Sequence, residues 1–195
     1  MVNLQEKTDA VRKENELIRL FKSGSEEAFT RLIVLYQQQV FKVAYGFFRD
    51  RDDAMEIVQE TFLRVYQKID RFDKNSSFKN WVYRIAYNLC IDFYRKFKNK
   101  KSCDREIYEL DEARNLSVLE PEDHIDRRDF KESLDVSLQS LSKRQKMIFV
   151  LKHNSGLKYR EIADILDVSV GTVKSLHHRA TQALKKKLAH YEVTA

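Results

Sequence analysis

The chain of 195 residues is 43 % hydrophobic and 34 % charged, with a net charge of +6 but only four glycines and one proline. That apolar content excludes a disordered chain, and so few turn formers exclude an all-β fold. The glycines lie too far apart for a glycine-rich phosphate loop, and the longest run without Asp, Glu, Lys or Arg, Leu32 to Phe41, is too short to cross a bilayer.

The amino-terminal segment is densely charged, with acidic residues throughout and no apolar stretch, so no signal peptide is expected. From Phe29 the apolar residues Leu32, Ile33, Tyr36, Val40, Val43, Ala44 and Phe47 follow one face of an α-helix, with Ser25 as its cap. A second helix is predicted from about Asp52 to Ile69, turning Ala54, Ile57, Val58, Phe62 and Val65 inward. Its opposite face carries Asp53, Glu56, Glu60, Arg64 and Gln67, and a stripe of this kind is ordinarily just a solvated face. A polar loop, Arg71 to Ser77, leads to a third helix at about Phe78 to Phe97. Lys79, Arg84, Asn88, Asp92, Arg95 and Lys96 lie on the outer side of that helix, with Trp81, Tyr83, Tyr87 and Tyr94 interleaved. Aromatics among cations suit stacking of unpaired bases beside held phosphates, although Phe78 and Trp81 fit a packed core equally well. Cys90 and Cys103 form no metal-knuckle spacing and suit a reducing cytoplasm.

Charge then divides the chain. Residues 1–103 carry +6, residues 104–132 carry −6 and residues 133–195 carry +6. The acidic stretch holds the single proline, Pro121, and reads as a flexible linker at 98–131 between domains at 1–97 and 132–195. The expected fold is all-α: two small helical domains on one tether. Two basic modules joined in this way suit two contacts along one polyanion.

In the last block, Tyr159 to Leu176 has the spacing of a helix-turn-helix. Ala163 permits close helix approach, Asp167 supplies the turn, Ser169 caps the second helix and Val173 points inward. Gly171, Thr172, Ser175, His178, Arg179 and Gln182 face outward, with Lys174 on the border. Arg179 is placed to pair bidentately with guanine, Thr172 and Ser175 to reach a base or phosphate, and Ser169 to Gly171 to seat a phosphate at the helix start.

Two segments then carry a resemblance. DAMEIVQETFLRVYQKIDRF with FKNWVYRIAYNLCIDFYRK resembles region two of bacterial sigma factors, and LSKRQKMIFVLKHNSGLKYREIADILDVSVGTVKSLHHRA resembles region four. Both occur in order with only a short linker between them, so the chain is similar to an extracytoplasmic-function (group IV) sigma factor of the sigma-70 family. The resemblance implies a non-enzymatic, cytoplasmic protein without cofactor or metal. Such a protein directs core RNA polymerase to promoters and assists strand separation at the −10 element. It implies that Asp53, Glu56, Gln59, Glu60 and Arg64 dock on the clamp helices of the polymerase β′ subunit, with the β flap as a further contact. Asn75, Ser76, Ser77, Phe78 and Asn88 would capture a flipped −10 base while Lys79, Arg84, Arg95 and Lys96 hold the backbone. Ser169, Gly171, Thr172, Lys174, Ser175, His178 and Arg179 would read the −35 element. An anti-sigma factor is a further implied partner, and membrane insertion is not implied.

The chain departs from the family pattern at Met55, where an acidic residue is usual. It departs again at Leu176 and His177, where arginine and an apolar residue are usual, so Leu176 is expected to face inward and His177 to pack at an edge. The rival readings are a two-domain helix-turn-helix regulator acting on duplex operator DNA and a small DNA recombinase. The first leaves the basic, aromatic stretch 71–101 without a purpose, and the second lacks a carboxylate cluster beside Ser76 and Ser77.

Overall fold

The structure, a computed structural model, describes residues 4–73, 76–103 and 125–189. Asn75 and most of the acidic segment lie outside the described residues. The described elements are helices: α1 (Leu4–Lys22), α2 (Glu26–Phe48), α3 (Arg51–Lys68), α4 (Phe78–Cys103), α5 (Ile125–Gln139), α6 (Lys143–His153), α7 (Tyr159–Leu166) and α8 (Val170–Leu188), with one 3-10 turn at Ile69–Arg71. The predicted helices at 52–69 and 78–97 are present, the latter running on to Cys103. Helix α1 was not predicted: among its described side chains the buried apolar residues, Ile18 and Phe21, fall only in its last turns. Residues 98–103 and 125–131, read from charge as linker, are helical. Lys, Arg and Glu are good helix formers, and their polarity does not argue against a helix.

Local chemistry sets the helix ends. The Ser25 hydroxyl accepts from the Ala28 amide, and the Asp50 carboxylate from the Asp53 amide at 2.9 Å, each satisfying an otherwise orphaned donor. Only Arg49 and Asp50 separate α2 from α3, and Arg49 makes the reversal in the left-handed region (φ 62°). An arginine there is strained relative to glycine. Its side chain is put to use, stacking on Tyr45 (5.1 Å) and pairing with Asp135 of α5.

Two apolar clusters fill the interior. One joins α1 through α4 by Phe21, Leu32, Val40, Val58, Phe62, Val65, Phe72, Phe78 and Val82. The other is shared between the two halves of the chain: Val43, Ala44, Phe47, Ile57, Leu89 and Cys90 of α2 to α4 lie in one cluster with Met147, Ile148, Leu151, Ile162, Ile165 and Leu166 of α6 and α7. The amino-terminal and carboxy-terminal domains therefore pack directly on each other, α6 against α2 and α7 against α4. Gly46 is a point of close approach. A Cβ there would lie 2.8 Å from both Asn154 Nδ2 and Val150 Cγ1, closer than any side chain tolerates. Polar contacts rim this seam: Arg84 donates to the Asp164 carbonyl, Gln139 Nε2 to the Phe48 carbonyl at 3.3 Å, and Lys143 Nζ sits 3.8 Å from the Tyr94 ring centre.

Lys146 is an exception within the seam. It is 5 % exposed, its ammonium donates to Gln139 Oε1 at 2.7 Å and lies 5.3 Å from the Phe47 ring. Burial, followed by the charge of Arg49, pulls its pKa down to about 8, with Asp135 opposing. A lysine whose pKa falls on folding makes stability rise with pH between the folded and unfolded values, because the unfolded chain binds more protons there. Stability is thus expected to climb from about pH 8 towards the ordinary lysine range. Lys146→Met is expected to flatten that rise and to stabilise the chain at neutral pH by about 1 kcal/mol or more, since an apolar isostere removes a buried charge. Thermal melts of both proteins across that pH range check this.

Candidate nucleic-acid interface

The carboxy-terminal helices hold the geometry that the spacing predicted. Helix α7 begins where the Lys158 amide donates to the Glu161 carboxylate at 2.7 Å. It ends at Asp167, which is left-handed (φ 54°, ψ 55°), with its amide returned to the Ala163 carbonyl. Ala163 and Val173 are buried between α7 and α8. The Ser169 hydroxyl accepts from the Thr172 amide at 3.0 Å and shares a second bond with the Thr172 hydroxyl. Ser169 therefore caps α8 and leaves Thr172 positioned by the same contact. Asp167→Gly removes the strain of a side chain in this region. The variant is expected to be more stable by about 0.5–1 kcal/mol, read as a melting temperature higher by about 2–3 °C.

Helix α8 contains no acidic residue over its 19 positions. Gly171, Thr172, Lys174, Ser175, His178 and Arg179 are exposed together, while Leu176 is half-buried against the core and His177 packs at the edge, as expected. The His177 ring bonds His153 (Nε2 to Nε2, 3.0 Å) and the Tyr159 hydroxyl (3.2 Å), tying the exposed helix to both α6 and α7. Burial first, then neighbouring positive charge (Lys152 for His153; the histidines and Lys152 for His177), lowers both imidazole pKa values below the usual range. The lowered values favour the neutral rings, in which one Nε2 donates and the other accepts according to tautomer.

A second basic surface surrounds the loop before α4. The Ser76 hydroxyl donates to the Asp73 carbonyl at 2.7 Å, and the Ser77 hydroxyl accepts from the Asn80 amide at 3.3 Å, capping α4. Both serines are exposed. Phe78 is not available to a base in this conformation. It is 3 % exposed, with Tyr36, Phe72 and Trp81 rings 5.2–5.7 Å away, so it supports the loop from beneath. The periodicity that marked it as core outweighs its place beside the loop. Trp81, half-buried on the same aromatic stack, lies nearer the surface. Lys79 is half-exposed, and Arg84, Asn88, Arg95 and Lys96 are exposed along α4. Arg84 is engaged by the carboxy-terminal domain and Arg95 lies 3.7 Å from Asp92.

The third surface is the outer face of α3. Asp50, Asp52, Asp53, Glu56 and Glu60 form an acidic edge, Gln59 is exposed, and Arg64 pairs with Glu60 at 3.0 Å. Burial first, then Asp50, Glu56 and Asp52, raises the Asp53 carboxyl above its ordinary value. Beside this edge runs an apolar one that charge patterning missed: Met55, Leu63 and Tyr66 are exposed, one to three turns apart on one side. The outer face of α3 thus sets an acidic edge beside exposed apolar side chains, and Met55, a departure by sequence, is one of the latter.

Among the described residues no helix is long and apolar enough to cross a membrane. Residues 32–100 match the family described as Sigma-70 region 2, and residues 131–184 that described as Sigma-70, region 4. The chain is 33 % identical over 176 residues to the ECF RNA polymerase sigma factor SigW of Bacillus subtilis, covering 88 % of this chain and 94 % of that one. It is 29 % identical over 177 residues to the ECF RNA polymerase sigma-E factor of Escherichia coli K12, covering 88 % and 92 %. Its fold is similar to CnrH in complex with the cytosolic domain of CnrY (TM-score 0.67, 22 % identity, 91 % and 98 % covered). It is also similar to the sigma factor RpoE in complex with the anti-sigma factor NepR from Bartonella quintana (TM-score 0.67, 24 % identity, 83 % and 96 % covered).

Proposed function

The chain belongs to the extracytoplasmic-function sigma factors of the sigma-70 family, which direct core RNA polymerase to promoters, and from that premise we propose which of its surfaces performs each part of the task. The α3 face, with Asp53, Glu56, Gln59, Glu60 and Arg64 beside Met55 and Leu63, docks on the β′ clamp helices. Ser76, Ser77 and Asn75 of the loop, with Asn88, receive a base extruded from the −10 element, and Lys79, Arg84, Arg95 and Lys96 hold its backbone. Helix α8 enters the major groove of the −35 element through Thr172, Lys174, Ser175, His178 and Arg179, its start at Ser169 and Gly171 seating a phosphate.

The observation that carries this reading is the combination on one chain of a helix-turn-helix whose second helix is free of acid and a separate basic, aromatic loop surface. A duplex reader needs only the first. Extruding a base costs a few kcal/mol, and stacking plus phosphate contacts made only with the separated strand offset that cost. Binding therefore shifts the closed-to-open equilibrium of the promoter by differential affinity. The chain has no part in bond-making chemistry on this reading and works in the cytoplasm, where core polymerase is found. One fold relative, RpoE, is held by the anti-sigma factor NepR, and we infer the same manner of control here.

Run-off transcription with purified core polymerase on a genomic fragment library tests the assignment. Starts that appear only with this chain and share two upstream elements support it. Binding to duplex DNA without any new start would instead favour the operator-binding regulator.

A further inference from the structure

Helix α8 is held to its domain by two kinds of contact. Val173, Ala180 and Leu184 are buried beneath it, and apolar contact, being non-directional, sets how closely the helix lies without setting its rotation about its own axis. The second kind is directional. His177, midway along the helix, faces His153, the last residue of α6, with the two Nε2 atoms 3.0 Å apart. Its Nδ1 lies 3.2 Å from the hydroxyl of Tyr159, the first residue of α7. The two imidazole planes are 21° apart and their centres 5.2 Å apart, so the rings lie almost end to end and the facing nitrogens meet in line. Phe149 supports the chain from α6, its ring centre 4.3 Å from that of His153. One arrangement of protons satisfies every member: His153 Nε2–H donates to His177 Nε2, and His177 Nδ1–H donates to the Tyr159 oxygen. Reversing both hydrogen bonds satisfies them equally. Helix α8 thus carries a polar strut at its midpoint, anchored on two other helices.

We propose that His177 is a positioning residue for base reading, its chain to His153 and Tyr159 fixing the roll of α8 so that Ser175 and Arg179 meet base edges in register. This rests on the assignment of α8 to the −35 element. Ser175, His178 and Arg179 lie within two residues of His177 and are exposed, so a rotation at His177 is passed on to each. A roll of about 10° moves a side-chain tip about 6 Å from the helix axis by about 1 Å. A bidentate contact needs placement within about 0.5 Å. Phosphate contacts from a flexible lysine tolerate that error. Loss of the strut is therefore expected to reduce discrimination between sequences and to leave the general attraction to DNA in place.

The test uses the full chain and substitutes His153, which belongs to α6 and not to the reading helix. His153→Leu removes the partner of His177, whereas His153→Gln keeps an amide able to donate or accept. Circular dichroism confirms that both variants are folded. Fluorescence anisotropy then measures affinity for a duplex carrying the upstream element of a promoter found by run-off transcription, and for the same duplex with that element scrambled. His153→Leu is expected to bind the promoter duplex about tenfold more weakly, the scale of one misplaced bidentate contact. On the scrambled duplex it is expected to stay within about twofold of wild type, because charge carries that binding. His153→Gln is expected to return promoter affinity to within about threefold of wild type. Nitrogen NMR of the free wild-type chain is expected to show a coupling between the two facing Nε2 atoms across their hydrogen bond. Equal losses on both duplexes, unchanged promoter affinity in His153→Leu, or no rescue by glutamine overturns the positioning role, and absence of the coupling overturns the strut itself. Absence of polymerase-dependent starts overturns the promoter reading and the role in it, and leaves the coupling as the measure of the strut.

Discussion

Exchanging Glu56 and Glu60 together for lysine is expected to weaken binding to core RNA polymerase about 100-fold or more, measured by fluorescence polarisation with labelled chain. Both residues lie on the outer side of α3 and neither belongs to a core cluster, so the fold is expected to change by no more than about 0.5 kcal/mol. The free chain loses one partly exposed pair, Glu60 with Arg64, worth at most about 0.5 kcal/mol. A basic partner surface meets two reversed charges, and like charges across an interface cost several kcal/mol where each 1.4 kcal/mol is about tenfold. Leu63→Ser on the apolar edge is expected to cost about tenfold with no change in salt dependence. If the double reversal shifts affinity less than about threefold, α3 is not the docking face.

Arg179→Ala is expected to lower affinity for the −35 duplex by about 1–3 kcal/mol and to relax preference at a single base pair, because a bidentate arginine–guanine contact discriminates at one position. Lys174→Ala, on the border of the same helix, is expected to weaken all sequences alike and to reduce the salt slope by about one. Titrations against a set of single-base variants at two salt concentrations separate the two effects. Uniform weakening from Arg179→Ala would make Arg179 a phosphate contact and move base reading to Ser175 or His178.

Much of the fold was legible because helices with one buried face write a 3.6-residue period into the sequence. Val40, Val43 and Phe47 of α2, and Ala54, Ile57 and Val65 of α3, were each identified by that period. The helix-turn-helix was legible for a stricter reason, since Ala163, Asp167, Ser169 and Val173 each meet a distinct steric or capping demand. Helix α1 was not, because its buried described residues sit near one end of a charged segment. Periodicity also states that Phe47 or Leu89 is buried without stating against what, so the seam between the domains was hidden. Gly46, Lys146 and the Arg49–Asp135 pair acquire their meaning only from the neighbours that folding brings to them. Of the candidate sites, the exposed residues of α8 and α4 lie where helical phase put them. Phe78 also lies where phase put it, in the core, and it was its place beside the loop that suggested a base contact. The apolar edge of α3 was overlooked because Met55 and Leu63 look like ordinary scatter until a helix aligns them.

The acid-free helix α8 remains exposed while the domains are packed together. Without a carboxylate of its own to repel phosphate, it is expected to bind duplex of any sequence through charge, with an affinity that falls steeply as salt is raised. On that expectation bulk DNA in the cell acts as a reservoir that buffers the free concentration of the protein.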